Sequence, residues 1–333
     1  MRIRFLITSL DRGGAEKYLA MVARGLATRG HDVGVACLRG FGPIARELAD
    51  AGVPVRTVGA GLVGWLRRER PQILYGFLFH ATIGARMAGR LAGVPVIVSS
   101  EQLMAMERGA RMLAYRATWD LCDHYVAVAG AVRDFLRDAI GIPGRRVSVI
   151  PSGLDPALYA CATPSREPVV ASIGHLRRND QKGYRFLIEA SRMLPGVRFV
   201  VAGEGTPPRD RGGVEFVGPI DDVPKFLASA ALYVQPSRWE GFPNAVIEAM
   251  ACGLPVVATR VAGMPEQVAD TGWLIAPGDP PALAAAIRDA LSDRRRLAAK
   301  GRAARERVER EFSEARLVER HVELFERLAA KFV

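Results

Sequence analysis

The sequence predicts an α/β fold built as two successive doubly wound sheets, and three observations carry that prediction. Short valine- and isoleucine-rich runs alternate with longer helical patterns along the chain, the βαβα order of a parallel sheet wrapped by helices. The alternation is interrupted by a stretch with few periodic residues, Pro151 to Pro168, containing Gly153, Pro156 and Pro164, and then restarts. The chain has 333 residues, 49% of them hydrophobic, which suits about two domains, each with its own core.

In order, the first half offers strands at Ile3–Thr8, Val33–Leu38, Ile73–Tyr75, Val94–Ser99, Tyr125–Val128 and Val147–Ile150. Helical patterns fall between them at Ala15–Arg29, Ile44–Ala51, Ile83–Ala92, Leu103–Trp119 and Ala131–Ala139. After the linker, strands are expected at Val169–Ile173, Phe199–Ala202, Val214–Val217, Leu232–Gln235, Val256–Thr259 and Trp273–Ile275. The tail from Pro281 to Val333 is helical and arginine-rich, with a break near Phe312 that lets a last helix begin at Ser313. Serine is a favourable cap, but the place three residues on holds Arg316 where a capping box wants Glu or Gln. The expected domains are residues 1–152 and 153–312.

Composition narrows the function. No run reaches the ~18 consecutive apolar residues of a membrane span. The opening MRIRFLITSLDRGG reads as a first strand and not as a signal peptide, so a cytoplasmic protein is expected. Cys37, Cys122, Cys161 and Cys252 are scattered without CxxC spacing, and the five histidines form no local cluster, so no metal site is expected. Charge is uneven. Residues 1–152 carry 21 Lys and Arg against 12 Asp and Glu, and residues 153–333 carry 25 against 23, net +9 and +2. A basic body of this kind points to an anionic membrane surface or another polyanion, unless its arginines are simply solvated. No nucleic-acid partner is expected.

The most informative segment is Tyr233 to Gly263, YVQPSRWEGFPNAVIEAMACGLPVVATRVAG. It reads as strand, glycine/proline loop, short helix, glycine stop and second strand. Pro243 suits the first helical turn, and Gly253 with Pro255 ends the helix. The helix start is an anion site by geometry, because its N–H groups lack partners. Glu240 lies just before that start and Glu248 about one turn inside it. One carboxylate can stand near a substituent of a bound phosphate and the other near a sugar hydroxyl.

This segment resembles the signature of the retaining glycosyltransferases of family 4. Their motif is E-x7-E, then an AMACG-like stretch, a proline and a valine-rich strand. Here it stands as Glu240 to Glu248, Ala249 to Gly253 and Pro255 to Ala258. A lone pair of glutamates at this spacing would mean little; the whole string in its strand–loop–helix context is specific. The resemblance implies the GT-B fold, two doubly wound Rossmann-like domains facing each other across a cleft, with the last helix, residues 313–333, packing back on the first domain. It also implies a nucleotide-diphosphate sugar as co-substrate, with no separate cofactor and no metal. Glu248 would hold the ribose hydroxyls, since a carboxylate accepts two hydroxyls at once, and Glu240 the donor sugar. Gly241, Phe242, Asn244 and Ala245, at the helix start between the glutamates, join them as candidate donor-binding residues.

Further candidates follow the same resemblance. The loop Leu10-Asp-Arg-Gly-Gly-Ala-Glu16 is not a dinucleotide G-x-G-x-x-G; the family places it beside donor phosphates and acceptor, which makes Gly13 and Gly14 candidates. After Val169–Ile173 the family shows an arginine and then a lysine-glycine pair on the diphosphate. Lys182-Gly183 match; the usual arginine place holds His175, so that role passes to Arg177, with Arg178 solvated. Gly203 would lie by the nucleoside and Gly218 by the base. In the first domain the family carries a histidine at the reacting sugar. Counting from Pro95, that place holds Glu101, a departure from the pattern. His80, just past a strand, either faces the same sugar or packs against its aromatic neighbours.

The expected function is therefore transfer of a sugar from a nucleotide-sugar donor to a sugar or lipid-linked sugar acceptor, in cell-surface glycan or polysaccharide synthesis. The protein would sit in the cytoplasm or peripherally on the inner face of the membrane. A nucleotide-sugar 2-epimerase would need paired acid and base groups that are not visible. A non-catalytic sugar-nucleotide-binding protein would not need Lys182, Glu240 and Glu248 together.

Overall fold

The computed structural model describes residues 1–11, 13–102, 109–159, 165, 167–176 and 180–332. The chain divides into two compact units. The first comprises Met1–Ser152 with Glu314–Val333, the second Gly153–Ser313.

The first unit contains β1 (Arg2–Ile7), α1 (Gly14–Ala27), β2 (Asp32–Cys37), α2 (Pro43–Asp50), β3 (Val55–Thr57), α3 (Leu62–Glu69) and β4 (Ile73–Phe77). It continues with α4 (Phe79–Ala92), β5 (Val96–Glu101), α5 (Ala110–Thr118), β6 (His124–Ala127), α6 (Gly130–Phe135) and β7 (Val147–Val149). The strands form one parallel sheet in the order β3-β2-β1-β4-β5-β6-β7. The strand interiors are continuously buried, as helices on both faces demand.

The second unit contains β8 (Val169–Ile173), α7 (Tyr184–Ser191), β9 (Arg198–Ala202), β10 (Val214–Gly218), α8 (Val223–Ala228), β11 (Leu232–Gln235) and α9 (Asn244–Ala251). It ends with β12 (Val256–Thr259), α10 (Met264–Val268), β13 (Trp273–Ile275), α11 (Pro280–Ser292) and α12 (Arg294–Glu311). Its parallel sheet runs β10-β9-β8-β11-β12-β13. The last helix, α13 (Glu314–Ala329), belongs to the first unit and packs on α1. His321 on α13 is fully buried between the Tyr18 and Tyr75 hydroxyls, at 3.4 and 3.3 Å.

Two elements lie outside the sequence expectation. Strand β3 is a three-residue edge strand, half-buried at Val55 and exposed at Arg56 and Thr57, too short to show alternation. Helix α3 is flanked and interrupted by Gly59, Gly61 and Gly64, which hide a buried Leu62, Trp65, Leu66 stripe at helical spacing. Helix α4 begins at Phe79 and not at Ile83, so His80 stands in its first turn. The residue before α4, Leu78, has φ +65°, a strained conformation for a leucine.

In each sheet the chain reverses its winding once. The switch lies between β1 and β4 in the first unit and between β8 and β11 in the second. Open parallel sheets bind ligands outside the carboxyl ends of the strands at such a switch.

Candidate functional site

The loops after β8 and β11 flank the switch of the second unit, and they are tied to each other. Arg238 N–H donates to Gln181 O at 2.8 Å, and the Gln181 amide donates to Trp239 O at 3.3 Å. Gly183, the residue before α7, has φ +68°, and a Cβ there would lie 2.0 Å from Pro236 O, so only glycine allows this approach. The consequence is that Lys182 Nζ reaches Glu240 Oε1 at 2.7 Å, fifty-eight residues away in sequence. Both side chains are withdrawn from solvent, 17% and 6% exposed, so the pair is a partly desolvated one. The same Glu240 oxygen accepts the Ser237 hydroxyl at 2.7 Å.

Pro243 precedes α9 with extended backbone, as its fixed φ favours, and no side chain caps the helix. Asn244 and Ala245 form a half-buried first turn, so the opening N–H groups are not closed by a side-chain acceptor. Gly241 O accepts Gly263 N–H at 2.9 Å, and Phe242 packs edge-on to Phe312 with ring centroids 5.3 Å apart. Glu248 is buried one turn into α9. The Tyr159 hydroxyl, half-buried and hydrogen-bonded to the Glu248 carboxylate, is held well above the ordinary phenol range, first by desolvation and then by that charge. Tyr159 is a contributor that its place in the proline-rich stretch did not reveal.

The neighbouring turns close in through glycine. A Cβ on Gly203 would lie 2.0 Å from Gly174 O, and Leu176 N–H donates to Glu204 O at 2.8 Å. Gly218, with φ +76°, accepts Gly203 N–H at 2.8 Å. The ends of β8, β9 and β10 are thus stitched together. His175 is exposed at this edge, with Nδ1 4.0 Å from Glu204. Arg177 and Arg178 lie outside the described residues. Lys182, Glu240, Glu248, Gly241, Phe242, Asn244, Ala245, Gly203, Gly218 and His175 are all carried by the second unit, on or beside the carboxyl ends of its strands.

In the first unit the sequence candidates separate. Gly13 and Gly14 open α1 at the end of β1, with the Glu16 side chain folded against Gly13. Burial raises the Glu16 carboxyl, helped by Asp11 and opposed by its own backbone N–H. His80 is exposed and meets Phe79 edge-on, with the Arg111 guanidinium 5.2 Å from the Phe79 ring centroid. Glu101, at the end of β5, is enclosed. It accepts the Tyr115 hydroxyl and lies 3.6 Å from the fully buried Arg86, itself stacked 4.0 Å from the Tyr115 ring centroid. Burial pushes its carboxyl up to about 7, with Arg86 and Tyr115 pulling it back. Those partners connect Glu101 to α4 and α5.

Residues 12–158 match the family model described as Glycosyltransferase Family 4, and residues 167–293 match that described as Glycosyl transferases group 1. The alpha-maltose-1-phosphate synthase of Mycolicibacterium smegmatis is 28% identical over 313 residues, covering 79% of this chain and 80% of that protein. The lipopolysaccharide core biosynthesis glycosyltransferase LpsE of Rhizobium meliloti is 36% identical over 174 residues, 47% of this chain and 48% of LpsE. Among solved structures, HepE of Anabaena in complex with UDP superposes with a TM-score of 0.87 at 22% identity, covering 98% of this chain and 100% of that one.

Proposed function

This chain is a glycosyltransferase of the family 4 and group 1 kind, and from that membership we propose that it transfers a sugar, with retention, from a nucleotide-diphosphate sugar held by its second unit. The observation that carries the reading is the Lys182–Glu240 pair seated beside the open first turn of α9, at the switch of that sheet. Lys182 spends one of its three N–H bonds on Glu240 and keeps two for diphosphate oxygens. As the bond from the anomeric carbon to the diphosphate oxygen breaks, its electron pair stays on the leaving group. Lys182, Arg177 and the N-terminus of α9 stabilise that charge where it develops. Glu240 hydrogen-bonds the donor sugar and offsets positive charge on its ring. The acceptor hydroxyl attacks on the face the leaving group vacates, and its proton passes to a leaving phosphate oxygen. Glu248, already oriented by Tyr159, takes the ribose hydroxyls.

A UDP-sugar donor is favoured, since HepE crystallises with UDP and, in a second structure of TM-score 0.85, with UDP-glucose. Acceptor recognition falls to the first unit. A lipid-linked acceptor is favoured by its basic charge and by exposed apolar side chains, Met87 and Leu91 on α4 and Leu113 on α5. The reading is tested by a thermal-shift screen against UDP-, GDP- and ADP-sugars, followed by assay of nucleoside diphosphate release. One donor class should stabilise the protein strongly. Stabilisation by none of them would remove the proposal, and conversion of the donor sugar to its 2-epimer would replace it.

A further inference from the structure

We propose that Tyr233, Gln235 and Ser237 form a one-way hydrogen-bond chain that positions Glu240 and presents only one of its oxygens to a ligand, an inference that rests on the proposed role of Glu240 in transfer. The three residues alternate along β11 and its extension, so they share one face of the strand. Each is 0% exposed.

The direction of the chain follows from counting protons. The Tyr233 hydroxyl accepts Ile173 N–H at 3.3 Å and gives its single proton to Gln235 Oε1 at 2.7 Å. The Gln235 amide nitrogen then donates to Ser237 Oγ at 2.8 Å. Ser237 has thereby filled its accepting side, and its own proton goes forward to Glu240 Oε1 at 2.7 Å. Thr259 on β12 donates to Ser237 O at 2.6 Å and fixes the backbone from the other side. The chain ends on a carboxylate, which can only accept, so Ser237 must donate to it and each earlier link is set in turn; Ile173 O, 3.4 Å from the Tyr233 hydroxyl, is the longer alternative acceptor. Every link therefore delivers a proton toward Glu240 and none draws one from it.

Glu240 Oε1 thus receives two donors, Ser237 and Lys182, and Oε2 has no hydrogen bond to a described residue. The arrangement holds one rotamer, concentrates negative charge next to Lys182, and leaves Oε2 for the donor sugar. Ser237, Gln235 and Tyr233 are positioning residues; none needs to touch the substrate.

The experiment is a double-mutant cycle on Ser237→Ala and Tyr233→Phe, with UDP-glucose as donor and UDP release as readout. Ser237→Ala should lower kcat roughly 10- to 100-fold, the effect of losing a hydrogen bond to a charged group, with KM for UDP-glucose and the Kd for UDP within about twofold. Tyr233→Phe should lower kcat less, and the double variant should be no slower than Ser237→Ala, because one cut already breaks the chain. Additive losses, or KM and UDP affinity falling together with kcat, would overturn the chain as a positioning device. Crystal structures of the unliganded variants decide the matter independently of the donor. In Ser237→Ala the Glu240 carboxylate should leave its single rotamer, and an unmoved Glu240 would overturn the proposal even if UDP-glucose proved to be the wrong donor. A wild-type protein that binds no nucleotide sugar, with Glu240 moving as expected, would instead count against the transfer reading alone.

Discussion

An ammonium and a carboxylate 2.7 Å apart, both mostly shielded from water, neutralise each other until a more highly charged anion arrives. Lys182→Ala should therefore do two things. It should cut kcat by two or more orders of magnitude, about 3 kcal/mol of transition-state charge stabilisation, and it should lower the melting temperature by stranding buried Glu240. Steady-state kinetics and calorimetry check both; full activity would exclude Lys182 from the diphosphate. Glu240→Ala should mainly lower turnover, whereas Glu248→Ala should mainly weaken nucleotide binding, measured by titration with UDP. Equal loss of affinity in the two variants would end that division of roles. For the cation after β8, the sequence spacing favours Arg177 over Arg178, and a silent Arg177→Ala beside a crippled Arg178→Ala would show the spacing misread.

At the scale of elements, α13 is the piece whose placement depends most on protonation. The His321 Nδ1–H donates to Leu317 O at 2.8 Å, and Nε2 accepts from the Tyr75 hydroxyl at 3.3 Å, the Tyr18 proton being given to Ile150 O at 3.1 Å, so the ring is needed neutral. Burial lowers its pKa to about 4. His124 is also lowered to about 4, first by burial and then by Arg327 and Lys331 at the end of α13 and just beyond it. Both folded values lie below the ordinary histidine range, so the unfolded chain binds the extra proton. Stability is complete above about pH 6.5 and is lost as pH falls through the window down to about 4, each histidine accounting for roughly 3 kcal/mol. Thermal melts of wild type at pH 7 and pH 4.5 should show this loss. His321→Gln should start less stable at pH 7 and fall less steeply, and an unchanged slope would mean that His321 does not carry the effect.

At the scale of the molecule, positive charge is distributed in two ways. In the second unit it is local, supplied by Lys182 and the open end of α9, and the proposed mechanism asks for no divalent ion. Turnover should accordingly persist in excess chelator; complete loss with recovery on added magnesium or manganese would overturn that part of the mechanism. In the first unit charge is diffuse, the net +9 of residues 1–152. Two stretches of its sequence interleave basic with apolar residues and so could face a membrane, Trp65-Leu-Arg-Arg-Glu-Arg70 and Leu103–Arg116. Trp65 and Leu66 are core residues, because α3 turns them inward, so the first feature keeps only its arginines. Met104, Met106 and Arg108 lie outside the described residues, while Leu113 is 70% exposed between Arg111 and Arg116. Co-sedimentation should show binding to anionic vesicles that weakens with salt and with Leu113→Glu. Binding indifferent to lipid charge, or none, would leave a soluble acceptor.

The sequence by itself determined the α/β alternation and both sheets, because buried parallel strands must be continuously apolar and their helices periodic. It also made the stretch from Glu240 to Glu248 legible, because a proline that opens a helix is a local requirement, whereas Lys182-Gly183 stood out only through its resemblance to the family's lysine-glycine pair. Strand β3 and helix α3 escaped, one too short and the other broken up by glycine. Only the tertiary structure decided which carboxylates work together. Glu101, in the motif position of a sugar-facing histidine, has Arg86 and Tyr115 as its partners, fifteen residues before and fourteen after it, which no local pattern announced. Lys182 and Glu240 meet because the sheet reverses its winding between β8 and β11, and Tyr159 meets Glu248 from a stretch that reads as a plain linker. Local pattern follows from backbone sterics and periodicity, which any short window contains. A pairing between distant side chains depends on strand order, and that is settled only when the whole sheet forms.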